Sequence, residues 1–416
     1  MKIADGVYVH FIPTQKYKTN RIVFRMTGSL NKQTIAKRAL VSQMLATANQ
    51  TYPTVQSFKE RLASLYGTQL STRVLTKGLT HSVDIELTYL KDAFIPTNNG
   101  LFWEVLGFLE ECLYKPLSRV AQYQNKVFDI ERQNLKTYLD VDTENNYYYS
   151  EVKGRELYFV NEGLKVPKYG QAELVEAETS FTAYQEFQSM LTRDRIDIFM
   201  VGEFDDYQVL QALHRFPLEG RQVDLQFSYS QPYVNVVKEK IEHRQSSQSI
   251  LQLGYQFSCQ YGDKNYFALI VFNAMFGEFA HSALFTTLRE KEGLAYSISS
   301  QFDVFTGLLE VYAGIEKSNR NQAMRGISRE LNYIKLGRFS SSLLNQTKKI
   351  IRMNALLSED HALTLVEQRF NKVIFGDKSL SLENWLDEIE KVTKKDVCRV
   401  ARQVKLQSLF FLEGVS

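Results

Sequence analysis

Residues 284–300 read LFTTLREKEGLAYSISS, and most of the architecture can be built outward from this stretch. A helix closes on the charged run Arg289-Glu290-Lys291-Glu292, and a strand starts at Leu294-Ala295-Tyr296. Gly293 sits between them, where glycine ends a helix by entering the left-handed region without a steric penalty. Arg289 and Tyr296 therefore flank a tight corner. Such a corner can aim a guanidinium and a phenol into one space, where both donate hydrogen bonds to a peptide carbonyl or to the oxyanion formed from it. The same spacing also fits a solvated helix end with a glycine cap and a half-buried tyrosine, and on spacing alone that plainer arrangement is the commoner one.

The elements around the corner form a series. Residues 249–257 read as a strand, 265–276 as an apolar helix ending at Gly277, and 282–291 as a helix with a charged face. Strands at 294–302 and 307–315 follow, then two long helices and a last strand at 408–412. The first half of the chain has the same order. Strands at 6–12 and 21–27 flank a polar turn, and helices at 34–48 and 55–66 come next, the second stopped by Gly67. A strand pair follows, and in residues 81–90 Val83, Ile85, Leu87 and Tyr89 alternate with Ser82, Asp84, Glu86 and Thr88. Helices at 101–113, 119–140, 144–159 and 179–191 lead to a strand at 196–201. From Pro217 to His243 the pattern weakens and turns polar. Two copies of one recipe imply an internal duplication. Strands followed by runs of helices imply an α+β fold of two similar domains, each a mainly antiparallel sheet covered by helices. The expected division is 1–220, a linker at 221–243, and 244–416.

Composition narrows the function. The 416 residues carry 50 Lys and Arg against 47 Asp and Glu, a net charge of +3, whereas a dedicated nucleic-acid binder is usually strongly basic. Hydrophobic residues at 44% and charged residues at 23% are ordinary for a globular chain. Cys112, Cys259 and Cys398 form no CxxC pair and read as small buried hydrophobes in a reducing compartment. No leader pattern and no membrane-length apolar run is apparent, so the expectation is a cytoplasmic protein without a membrane span. Phosphate-loop, GxGxxG and GxSxG motifs are absent.

Residues 273–300, NAMFGEFAHSALFTTLREKEGLAYSISS, resemble the C-terminal-domain signature of the insulinase/pitrilysin zinc peptidase family, and most of all its processing-peptidase branch. Gly277, Leu284-Phe285, Leu288-Arg289, Gly293-Leu294 and Tyr296 match the pattern; Ala283 stands where the family usually has arginine. The resemblance implies two similar α+β domains that pair with another two-domain unit to enclose a chamber. In the family's catalytic unit, a first-domain helix carries His-x-x-Glu-His. Its two histidines and a Glu from a later helix bind zinc, and the internal Glu is the general base.

This sequence departs from the family at that helix. Residues 39–50 read ALVSQMLATANQ, so Ala39, Ser42 and Gln43 replace His, Glu and His. Asn134 falls where the third ligand is expected, with Glu131 nearby. A one-residue shift gives Leu40, Gln43 and Met44, and no histidine lies between His10 and His81. The six histidines are scattered without an i, i+4 pair and read as surface or capping residues. The resemblance thus implies a non-catalytic member of a bacterial heterodimeric pair. This chain would hold no metal, and the zinc would lie in a homologous partner subunit. Arg289 and Tyr296 would complete the partner's site against a small peptide substrate. The rival is a structural or scaffold protein with no role in hydrolysis. An independent enzyme using another metal, or none, is a third reading. Two lesser features have ordinary explanations: residues 391–405, KVTKKDVCRVARQVK, form a basic amphipathic helix packed on the core, and Tyr147, Tyr148 and Tyr149 suit helix packing or a chamber lining.

Overall fold

The computed structural model describes residues 1–95 and 100–415. Two sheets organise the chain, and it divides into two units that are not contiguous in sequence. The first holds Met1–Val141, Val166–Gln226 and Asp360–Arg369; the second holds Asp142–Lys165, Phe227–Glu359 and Phe370–Ser416.

The first unit contains β1 (Lys2–Ala4), β2 (Val7–Pro13), β3 (Thr19–Ser29), β4 (Gln69–Lys77), β5 (Thr80–Leu90) and β6 (Arg195–Gly202), in spatial order β1-β2-β6-β3-β5-β4. Among the described residues, only the β2–β6 pair of this sheet is parallel. Helices α1 (Lys32–Leu45), α2 (Val55–Ser64), α3 (Leu101–Tyr114) and α4 (Asn125–Glu144) follow in chain order, and α5 (Asn146–Tyr158) lies in the second unit. Helices α6 (Ala172–Glu176), α7 (Ser180–Arg193) and α8 (Asp206–Leu213) complete the first unit. Its core joins Phe24, Ile85 and Ile198 of the sheet to Leu40, Phe108, Phe128 and Phe187 of the helices.

The alternation in β5 is present, but its polar side is buried too. Arg25 on β3, 1% exposed, gives two 2.8 Å hydrogen bonds to Asp84 and one of 2.5 Å to Glu367. Arg73 reaches Asp84 at 2.9 Å and Glu86 at 2.6 Å, and Lys77 lies 3.4 Å from Glu367. Glu367 comes from the short segment Asp360–Arg369 that the second half of the sequence lends to this unit. Charges withdrawn from water are tolerated only when each is paired, and here every carboxylate has at least two cationic neighbours.

The second unit contains β7 (Lys238–Gln245), β8 (Ser249–Gln256), β9 (Ala295–Asp303), β10 (Leu308–Ile315) and β11 (Lys405–Val415), in order β7-β11-β8-β10-β9. Only β7 and β11 are parallel. With β1 set aside, both sheets therefore share one topology: first strand, last, second, fourth, third, with the first and last parallel. Helices α9 (Lys264–Asn273), α10 (Arg320–Lys335), α11 (Ser341–Ser358), α12 (Ala362–Phe375), α13 (Leu382–Lys391) and α14 (Lys394–Gln403) follow in chain order, α12 belonging to the first unit through Arg369. The core packs Leu253, Val311 and Phe411 against Phe272, Leu288, Ile327 and Val400. The other sheet face is covered by α5, whose Tyr147, Tyr149 and Leu157 pack on Ile250, Phe410 and Leu412.

Several expected boundaries shift. The stretch 119–124 is not helical, because Val120 and Ala121 adopt left-handed φ values of 52° and 57° in a turn closed from Arg119 N–H to the Gln122 carbonyl. The polar stretch 221–243 is no spacer. Through Gln226 it belongs to the first unit, and from Lys238 it forms β7. An edge strand pairs on one side only and needs no apolar pattern, so KEKIEHRQ was illegible as a strand. Five helices, rather than two long ones, separate β10 from β11. The basic stretch 391–405 packs as expected, with Val397, Val400 and Ala401 of α14 buried. Among the described residues, no helix is long and apolar enough to cross a membrane.

The ion cluster makes the first unit acid-sensitive. Burial opposes ionisation of Glu367, but the charges of Arg25 and Lys77 and the hydrogen bond from Arg25 outweigh it and hold the carboxyl at about 2, below its ordinary 4.5. A depressed carboxyl stabilises the fold fully above its unfolded value and loses that contribution as pH falls through its folded value. Denaturant unfolding followed by circular dichroism should therefore show stability falling between about pH 4.5 and 2. Glu367→Gln should flatten that part of the profile; an unchanged profile would contradict the assignment.

Candidate functional site

The corner at Gly293 forms as the sequence suggests, with two additions. The helix at Phe285–Lys291 is a wide π-type turn, and the Glu292 N–H bonds five residues back to the Thr287 carbonyl at 2.9 Å. Such turns concentrate at functional sites. Gly293 follows at φ 62°. In the β9–β10 ladder Ser297 then faces Gly314, while Ala295 faces Ile315. Tyr296 is the extra residue of a β-bulge, a device that re-aims one side chain. Ala295 points into the core, and Tyr296 is left 59% exposed. Upstream, Gly277 lets the preceding helix meet β9, since a Cβ there would lie 2.9 Å from the Ser300 backbone nitrogen.

Arg289 and Tyr296 do not bond to each other. The Arg289 guanidinium lies 4.6 Å from the centre of the Phe285 ring, a cation–π contact. The Tyr296 hydroxyl donates to Glu316 at 3.0 Å. That hydrogen bond, and then the carboxylate's charge, raise the phenol above its ordinary value, so it keeps its proton at neutral pH. Glu316 was not visible as a site residue in the sequence, because only the register of the β9–β10 hairpin brings it to Tyr296. The duplicated fold repeats the corner at Gly67, φ 73°, between α2 and β4. There the positions of Arg289 and Tyr296 are taken by Ala63 and Leu70.

The positions of the missing zinc motif lie on α1. Ala39 is fully buried, and Ser42, 1% exposed, donates its hydroxyl to the Ala39 carbonyl at 2.7 Å. The Gln43 carbonyl accepts from Thr47 at 2.9 Å. On α4, Glu131 accepts from Thr47 at 3.0 Å and from Asn134 at 3.3 Å. Ala39 offers no ligand atom, and a lone carboxylate with alcohol and amide neighbours does not suit zinc. Among the described residues, no three His, Cys, Asp or Glu side chains group in a way that could hold a metal ion. The family's zinc therefore does not fit this chain's own donors.

Two of the histidines expected at the surface are buried. His10 bonds Asp197 at 2.7 Å, and Arg195 grips the same carboxylate at 2.7 and 2.9 Å. His81 bonds the Lys168 carbonyl at 2.8 Å, while burial and then the nearby Arg38 push its imidazole down to about 3, so it is neutral. Arg38 itself ties α1 to Asp194, Glu186 and the His81 carbonyl. Cys259 is half-buried; Cys112 and Cys398 are buried.

Residues 184–351 match the family model described as the Peptidase M16 inactive domain. The chain is 30% identical over 410 residues to the Bacillus subtilis protein named "Probable inactive metalloprotease YmfF", covering 98% of this chain and 96% of that one. The chain belongs to the M16 peptidase family, and it stands among that family's inactive, peptidase-like members. A crystal structure of a conserved protein from Enterococcus faecalis V583 superposes with a TM-score of 0.97 at 35% identity, covering 100% of this chain and 98% of that one. A peptidase M16 inactive domain from Pseudomonas fluorescens shares the fold, with a TM-score of 0.78 at 15% identity over 99% of this chain and 97% of that one.

Restoring the motif letters should not restore a metal site. In Ala39→His/Ser42→Glu/Gln43→His, the imidazole at 39 must enter a filled core, and overpacking of this kind costs about 1–3 kcal/mol. Plasma mass spectrometry should find no stoichiometric zinc, and the denaturant midpoint should fall. One zinc per chain at an unchanged midpoint would contradict this.

Proposed function

We propose that this chain is the non-catalytic subunit of a heterodimeric zinc peptidase acting on small peptides in a bacterial cytoplasm. The observation that carries the proposal is an asymmetry. The metal positions on α1 hold Ala39, Ser42 and Gln43, whereas the second-unit corner presents Arg289 and Tyr296 to solvent. A chain that makes no nucleophile of its own has no internal use for two exposed donors at a bulged corner. In the pair, metal chemistry belongs to the partner. Arg289 and Tyr296 then bind the peptide carbonyl and stabilise the charge that develops on it, as preorganised donors do. Glu316 holds the phenol in place and keeps it protonated until substrate takes over the hydrogen bond.

A scaffold with no role in hydrolysis is the second reading. It is favoured by the Tyr296–Glu316 and Arg289–Phe285 contacts, which already satisfy the two groups within the chain. Turnover by the reconstituted pair separates the two. Tyr296→Phe should lower kcat about tenfold to a thousandfold, the range of a lost oxyanion donor, while affinity between the subunits stays the same. Unchanged kcat for both Tyr296→Phe and Arg289→Gln would leave only the scaffold.

A further inference from the structure

Between α5 and the sheet it covers lies a cavity of about 400 Å³, lined by Tyr147, Tyr148, Glu151, Gln252, Gln301 and Tyr312 among others. Its charge is one-sided. Just behind the wall, Glu310 is 4% exposed and takes both arms of Arg155, at 3.2 and 2.9 Å. It also accepts from the amide nitrogens of Gln252 and Gln301, each at 3.3 Å. Each bond to Glu310 commits one N–H of the glutamine, so what each can still offer is its carbonyl oxygen and one remaining N–H. The Tyr147 hydroxyl is committed to Ser297 at 2.6 Å, so Tyr147 contributes mainly its ring, set edge-to-face on Tyr312 at 5.7 Å. Glu151 adds a carboxylate, and the single Arg155, 3.3 Å away, is shared between it and Glu310. Two carboxylates against one guanidinium leave a net negative charge.

Amide oxygens, a carboxylate and aromatic faces, with the nearby cation already committed, form the environment a cation seeks. We infer that this cavity is a binding pocket for a cationic side chain, the arginine or lysine of a peptide. The choice of a peptide ligand rests on the reading of the chain as a peptide-handling subunit; the preference for a cation rests on the cavity alone. Burial, together with the charge of Glu310, already holds the Glu151 carboxyl above its ordinary value against the pull of Arg155. A bound cation would relieve that cost.

The test uses the full chain without any partner. Acetyl-arginine amide and its neutral isostere acetyl-citrulline amide are titrated into tyrosine-labelled protein and followed by NMR, with the Tyr312 ring signal identified through Tyr312→Phe. The pocket predicts a saturable shift of Tyr312 with the arginine ligand, at least about tenfold weaker binding of citrulline, and a loss of about tenfold in arginine affinity in Glu151→Gln. Equal binding of the two ligands, no saturable shift, or unchanged affinity in Glu151→Gln would overturn the pocket. Turnover is not measured, so failure here leaves the Tyr296 experiment as it stands.

Discussion

Each sheet has one face that packs its apolar side chains on helices and a second face that also carries buried charge, and the structure depends on neutralising that charge. In the first unit the charges are Arg25, Asp84 and Glu86, closed by Glu367. In the second, Glu310 is closed by Arg155. In both cases the closing residue comes from the other half of the sequence, through the exchanged segments Asp360–Arg369 and Asp142–Lys165. Removing one partner of a buried ion pair strands a charge away from water. Neither half of the sequence carries all the residues that neutralise its own sheet, which argues against the two halves folding as independent fragments.

The duplication gives the protein two copies of each structural device, and the copies have diverged in chemistry. Both units build a helix, a glycine in the left-handed region, and an edge strand. Only the second adds the bulge that exposes Tyr296 and the arginine one turn before the glycine. In the first unit the corner carries Ala63 and Leu70, and α1 is packed with Ala39, Leu40 and Val41. At these two corner positions, side chains able to donate hydrogen bonds are therefore present in the second unit only. This is the physical content of the proposed division of labour with a metal-bearing partner.

Much of this was legible in the sequence. The repeated order of strands and helices, the glycine stops at 67 and 293, and the loss of the metal motif all follow from local patterns that tertiary contacts did not override. Other features were hidden for specific reasons. Strand β7 is an edge and lacks an apolar rhythm. The turn at 119–124 is set by two left-handed residues that are not glycine. His10 and His81 look like surface residues until Asp197 and the Lys168 carbonyl, both distant in sequence, supply their partners. The exchange of segments has no local signature, because nothing in residues 142–165 or 360–369 marks which sheet they dock on. The contact of Glu316 with Tyr296, and the meeting of Gln252, Gln301 and Glu310 beside the α5 cavity, depend on strand register.

The central claim is that this chain works beside a zinc-bearing homologue. Affinity capture of the tagged chain from its native lysate, with mass-spectrometric identification and metal analysis of the purified complex, tests it most directly. The account predicts a partner of similar length carrying His-x-x-Glu-His, in equal amount, with one zinc per heterodimer. Recovery of the chain alone, or of one zinc per isolated chain, would contradict it.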